Sequence, residues 1–232
     1  DRRVLRAVTK QKAVVAIFVM MIAMIFFKTN FYTSYNLLNV LKDAAVNEII
    51  AFGVTLTVIA AGCDLSVGGV MCLSGIVAIQ LMNGGMNMWL AITISILIGA
   101  VVGFINGFLV VKQKTEAFII TLGMGMLIKG VCQQLTDAHP VSCTNMEFMK
   151  ISNGKIGGVI PNLAVFMIVI GLLIYSLLRF TSFGRNLYAI GGDYEVAKYS
   201  GIKVIPTKWA AFVISGAMAA LAGVLLSSKL NT

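Results

Sequence analysis

Charge is scarce in this chain: only 12% of its 232 residues are Asp, Glu, Lys or Arg, where a soluble domain carries roughly 25%. Histidine occurs once, at His139 beside Pro140, and there are only three prolines. One histidine gives no metal cluster and no nucleophile–base pair, so no catalytic residue and no metal site is expected. The four cysteines, Cys63, Cys72, Cys132 and Cys143, have no zinc-type spacing. No Gly-x-x-x-x-Gly-Lys-Ser/Thr occurs. The nearest approach, Gly123 to Gly130, carries Lys129 in the wrong place and inside an apolar run. The chain is therefore not expected to be an enzyme or to bind a cofactor, and any ATP it depends on must be held by another subunit. A net charge of +9 would suggest nucleic acid in a soluble protein. No aromatic–basic interleaving supports that partner here.

Apolar residues are what the chain has: 59% of it is hydrophobic and the mean hydropathy is +0.93. A bilayer-crossing helix needs about 20 apolar residues. The runs that qualify are 13–28, 46–62, 66–82, 88–111, 116–135, 159–178 and 208–228. Residues 31–45, with Asn36, Asn39, Lys42 and Asp43, read as a separate amphipathic helix at the interface. The basic clusters fall in alternate loops: Arg2, Arg3, Arg6, Lys10 and Lys12, then Lys112 and Lys114, then Arg179, Arg185, Lys198, Lys203 and Lys208. The positive-inside rule puts these on the cytoplasmic side, with the N-terminus. The first run lacks a small-residue cleavage site and is too long for a signal peptide. The expected fold is all-α: one polytopic transmembrane domain over 1–232 with about seven spans. The chain starts without Met and stops just past an apolar run, which reads as a longer subunit whose C-terminal spans are missing.

Gly62-Cys63-Asp64-Leu65-Ser66-Val67-Gly68-Gly69 interrupts the apolar pattern. A carboxylate and three glycines at that depth predict a broken helix, and such breaks are tolerated only inside protein or along a wet cavity. In transporters they handle cargo. Asp64 and Ser66 either cap the helix that starts near Val67 or contact cargo, while Gly68 and Gly69 permit close approach or unusual dihedrals. Asn106 and Thr121 join this candidate path as polar groups within spans, Asn106 having an interhelical hydrogen bond as its alternative role. Gly99, Gly103 and Gly107 form a ridge suited to helix packing. Lys129 either snorkels to the outer interface or pairs with Asp64. The thirteen methionines read as gap-fillers. Cys132 and Cys143 fall near the outer face, where pairing is open.

The loop 184–203 contains a short helix over 193–200, with Asp193 as N-cap, Glu195 in the first turn and Gly201 as stop. Three stretches together resemble the permease subunits of bacterial ABC importers for monosaccharides, of the ribose and galactose/methylgalactoside type. They are Asp64-Leu65-Ser66-Val67-Gly68, Phe118-Ile119-Ile120-Thr121-Leu122-Gly123, and Gly184-Arg185-Asn186-Leu187-Tyr188-Ala189-Ile190-Gly191-Gly192 with Glu195, Ala197 and Ser200-Gly201-Ile202. The resemblance implies a translocation path in the bacterial inner membrane. It implies as partners a second permease copy, a cytoplasmic tandem-domain ATPase that binds ATP and Mg, and a periplasmic or lipid-anchored sugar-binding protein. It makes Asp193, Glu195, Ala197, Ser200 and Gly201 the ATPase-coupling residues. Cys63, where the family more often has an apolar residue, and the outer loop 136–158 depart from the pattern. An ABC permease for a nucleoside, an autoinducer or a branched-chain amino acid is the alternative. An ion-coupled carrier is another, in which Asp64 is almost the only coupling carboxylate available.

Overall fold

The computed structural model describes residues 12–26, 32–113 and 115–231. Arg2, Arg3, Arg6, Lys10, Lys28, Phe31 and Lys114, used above for sidedness and for the ends of two segments, lie outside them. The chain divides into two units, 1–41 and 42–232. In the first lie α1 (Lys12–Phe26) and the start of α2 (Ser34–Ile59). The remaining elements are α3 (Val67–Asn83), α4 (Met88–Gln113), α5 (Ala117–Thr136), α6 (Met146–Asn153), β1 (Lys155–Ile156), β2 (Ile160–Pro161), α7 (Asn162–Phe180), α8 (Ser182–Gly192), α9 (Tyr194–Tyr199) and α10 (Val204–Leu230).

The all-α expectation holds apart from one small hairpin. Four described helices are long and apolar enough to cross a membrane, α4, α5, α7 and α10, and α3 is a shorter apolar helix of 17 residues. The count of seven is not reproduced by length and composition. α2 is not among the four: it joins the expected interfacial helix 31–45 and the span 46–62 into one continuous helix of 26 residues that carries Lys42, Asp43 and Glu48. Nothing between them breaks the backbone hydrogen-bond ladder, since no Gly or Pro falls between Ser34 and Phe52. The expected outer loop is also structured. Asn145 caps α6 by accepting from the Glu147 amide at 3.0 Å. Gly157 and Gly158, both at positive φ, begin the three-residue turn 157–159 that joins β1 to β2, a conformation glycine adopts without steric cost.

The core of the second unit is organised around α10, more than half of which is buried, whereas α5 keeps most of its surface exposed. The reason is small residues. A Cβ on Gly99 would lie 2.4 Å from Ala220 Cβ, one on Gly103 2.2 Å from the Phe212 carbonyl oxygen, and one on Gly216 2.2 Å from the Gly99 carbonyl oxygen. The expected ridge thus meets a matching notch on α10, and the two backbones touch in antiparallel register. Gly107 continues it against Trp209, whose indole donates to the Phe104 carbonyl at 2.7 Å. On the other side of α10, Gly223 abuts the Met71 carbonyl of α3 in parallel register, with Gly75 against Ser227 one turn on.

At the far end of α10, Ser228 donates to the Phe148 carbonyl at 2.6 Å, Ser152 donates to the Leu225 carbonyl at 2.7 Å, and Lys229 pairs with Asp43 at 2.6 Å. The 136–158 segment is therefore bolted to α10 rather than loose.

Gly103→Val should lower the thermal midpoint of the detergent-solubilised protein by the equivalent of about 1–3 kcal/mol, the range for overpacking. Gly123→Ala and Gly130→Ala, at positions where a Cβ meets nothing within 4 Å, should leave it unchanged.

Candidate functional site

α2 ends in a left-handed turn. The Gly62 amide donates to the Thr57 carbonyl at 2.9 Å and the Ala61 amide to the Val58 carbonyl at 3.0 Å. This pair of bonds closes a Schellman motif whose left-handed residue is Ala61, at φ 51°. Glycine is the usual occupant there; here Gly62, Gly68 and Gly69 all keep ordinary φ, so the expected unusual dihedral belongs to a neighbour. The chain then runs unwound through Cys63–Ser66 and restarts as α3 at Val67.

Asp64 holds this break in place. It is 1% exposed, and its Oδ1 accepts from the Ser66 amide at 3.1 Å and the Ser66 hydroxyl at 2.7 Å. Its Oδ2 accepts from the Ser215 hydroxyl of α10 at 2.8 Å. Ser66 Oγ in turn accepts from Asn106 Nδ2 of α4 at 2.8 Å. Thr121 of α5 closes the other side: its Oγ1 accepts from the Leu65 amide at 3.1 Å and lies 3.1 Å from the Cys63 carbonyl and 2.8 Å from its own Ala117 carbonyl. The unwound segment is thereby hydrogen-bonded to α4, α5 and α10 at once. A buried carboxylate without a cation is costly, and three hydroxyl and amide donors offset that cost.

The capping alternative for Asp64 and Ser66 is corrected. Ser66 stands at the N-cap position but makes no side-chain capping bond, because Asp64 takes its hydroxyl proton. The ion pair between Lys129 and Asp64 is not formed among the described residues. Both Asp64 oxygens are already occupied, and Lys129 lies exposed on α5.

The six residues assigned to the path therefore divide. Asp64, Ser66, Asn106 and Thr121 are all 0–1% exposed and line no cavity described here. Gly68 and Gly69 do line one, a groove of about 330 Å³ between α3 and α5 that also includes Gly125 and Lys129. A neighbouring cavity of about 520 Å³ shares Cys72 and Lys129 with it and reaches His139 at the end of α5. The groove runs along a close contact of the two helices, where a Cβ on Gly69 would come 3.0 Å from the Gly125 carbonyl oxygen. Sequence reasoning missed Ser215 as the fifth member of this bonded set. It is one hydroxyl among many in the spans, and its significance depends on α10 crossing the break 151 residues away.

The coupling segment is more built than expected. Residues 182–192 form α8, so Gly191 and Gly192 are helical rather than flexible. Gly184 fits the α7–α8 corner, where a Cβ would lie 2.1 Å from the Leu178 carbonyl oxygen. Gly191 rests on the end of α2, its would-be Cβ 1.8 Å from the Ile59 carbonyl oxygen. Asp193 caps α9 as expected, accepting from the Val196 amide at 2.9 Å. Gly201, at φ 82°, ends the turn that follows. Glu195 and Ser200 are exposed, with Val196 and Tyr199 beside them. Ala197 is the correction in this set. It is 3% exposed and packs with Ile190, Ile202 and Val204, so it roots the helix instead of presenting a face to a partner.

Cys132 and Cys143 are free thiols in separate clusters, one with Val70 and Ile128, the other with Phe148 and Ala91. The cysteine that Cys132 meets is Cys72.

Asp64→Asn and Ser215→Ala should each destabilise the protein by about 1–3 kcal/mol, the cost of leaving a buried polar group without its partner. Asp137→Asn, in an exposed turn, should have no such effect on the melting curve in detergent.

Residues 36–232 match the family described as branched-chain amino acid transport system / permease component. The ribose import permease protein of Haemophilus influenzae is 33% identical over 231 residues, covering 98% of this chain and 71% of that protein. The ribose import permease protein of Bacillus subtilis is 36% identical over 218 residues, 93% of this chain and 67% of its own length. The D-allose transport system permease protein of Escherichia coli is 35% identical over 202 residues, 87% of this chain and 62% of its own. No solved structure matches. A match over residues 36–232 and relatives at about one-third identity place the chain in this family of membrane transport permeases.

Proposed function

We propose that this chain is the membrane-spanning permease subunit of an ATP-driven importer for a monosaccharide. The similarity at about one-third identity to permeases named for ribose and allose supports the cargo class. The observation that carries the mechanism is the contact of α8 with α2. A partner ATPase seated on the exposed face of α9, at Glu195, Val196, Tyr199 and Ser200, would push on a segment rooted by Ala197 and Ile190. That segment bears through Gly191 on Ile59, the last residue of α2 before the break. Movement at the ATPase would thus reach the Asp64 clip within five residues of chain, and through it α4, α5 and α10 together. The chain contributes a path and a lever; ATP and Mg belong to the ATPase.

In this reading the basic loops and α9 face the cytoplasm of a bacterial cell, and a second permease copy and an extracytoplasmic sugar-binding protein complete the assembly. A neutral, hydroxyl-rich cargo needs scattered hydrogen-bond groups and no ladder of charge. The α3–α5 groove, with Lys129 as its one charged lining residue, fits that need. An ion-coupled carrier is disfavoured because Asp64, its coupling candidate, is fully engaged inside the protein. The family description itself favours a branched-chain amino acid as the second reading, with Lys129 pairing the cargo carboxylate.

Tagged full-length subunit purified from native membranes should bring with it an ATPase carrying two nucleotide-binding domains and a sugar-binding protein. Recovery of an amino-acid-binding protein instead would favour the second reading, and recovery of the permease alone would defeat both. Gly191→Val and Glu195→Lys should each leave the subunit in the membrane while separating ATP hydrolysis from uptake in proteoliposomes. Coupled uptake at the normal rate in both variants would remove the lever mechanism.

A further inference from the structure

Cys72 and Cys132 face each other across the contact between α3 and α5. The helix register places them there independently of the thiols. A Cβ on Gly69 would lie 3.3 Å from Ile128 Cβ, and α3 and α5 run parallel. Cys72 follows Gly69 by three residues and Cys132 follows Ile128 by four, so each advances one turn along its helix and the pair stays adjacent. Cys132 packs with Val70, Leu73 and Ile128 in this same contact, on either side of the Cys72 position along α3. Both line the cavity of about 520 Å³ that opens toward the turn at His139 and Pro140. Their environments differ in a way that suits sequential chemistry: Cys72 is exposed and Cys132 is 3% exposed behind it.

We propose that Cys72 and Cys132 form a dithiol site that reacts with small disulfides and closes into a cross-link between α3 and α5. Cys72, the accessible thiol, attacks one sulfur of a disulfide such as glutathione disulfide as its thiolate. The reagent's S–S bond breaks and one glutathione thiolate leaves. Cys132 then attacks the Cys72 sulfur of the mixed disulfide and expels the second glutathione. The two cysteine protons end on the two departing thiols. The protein dithiol is oxidised by two electrons and one glutathione disulfide is reduced to two glutathiones. Cys63, in the unwound segment, and Cys143, packed with Phe148 and Ala91, take no part.

The consequence follows from where the staple falls. It joins α3, which restarts from the Asp64 break, to α5, which holds that break through Thr121. Fixing the two helices one turn above their Gly69–Gly125 contact would freeze the groove between them. Resting on the function proposed above, oxidation would stop the transport cycle, and a reductant would restart it.

The full-length permease in its purified assembly, treated with glutathione disulfide, should lose the thiols of Cys72 and Cys132 and yield a Cys72–Cys132 linked peptide by mass spectrometry. Cys132→Ser should instead hold a glutathione adduct on Cys72, and Cys72→Ser should give no link. Sugar uptake by the treated wild type should fall as the link forms and return with dithiothreitol, while Cys72→Ser, which forms neither link nor adduct there, keeps its own untreated rate. A stable Cys72 adduct without a link in the wild type, or Cys72 and Cys132 both left as thiols, would overturn the site. A complete link with uptake unchanged would overturn the stapling role. The covalent readout stands apart from cargo identity, so a wrong sugar assignment would leave the peptide result intact.

Discussion

One buried carboxylate organises this protein. Asp64 accepts from Ser66 within its own segment and from Ser215 on α10, and Ser66 extends the set to Asn106 on α4. Unwound backbone inside a membrane protein exposes amides and carbonyls that lipid cannot satisfy. The stretch Cys63–Ser66 survives because three helices supply the missing partners, with Thr121 serving both the Leu65 amide and the Cys63 carbonyl. Without that clip, α2 and α3 would have no fixed relation at the point where each ends or begins.

The glycine packing serves the same arrangement. Ser215 reaches Asp64 only because α10 lies against α4 at backbone distance through Gly99, Gly103 and Gly216, and against α3 through Gly75 and Gly223. In an apolar solvent, helices gain little from burying hydrophobic surface, and close contact through small residues is the available source of association. Polar clip and glycine seam are therefore one design: the seam sets the distance, and the clip uses it.

Rigidity at the clip contrasts with the α3–α5 side. Gly68, Gly123 and Gly130 have open space where a Cβ would be, and the groove beside them is lined by Lys129 and Met126 rather than by another helix. The same chain thus presents a bonded inner face and an uncovered outer one. α8 meets the bonded face where Gly191 rests on the Ile59 carbonyl.

The sequence by itself determined what local chemistry and one-dimensional pattern can determine. Low charge and long apolar runs set the membrane class, Asp64 among glycines marked the break, the ridge at Gly99, Gly103 and Gly107 announced backbone packing, and Asp193 to Gly201 bounded a short helix. Only the tertiary structure decided the rest. That Asp64 is bonded inward rather than toward cargo depends on Ser215, 151 residues away. That Ala197 faces its own core depends on Ile190 and Val204 packing behind it. That Cys132 meets Cys72 rather than Cys143 depends on the parallel register of α3 and α5. The physical reason is common to all three: hydrogen bonds and thiol contacts act over a few ångströms, and which groups come that close is set by how helices cross, which no local pattern records.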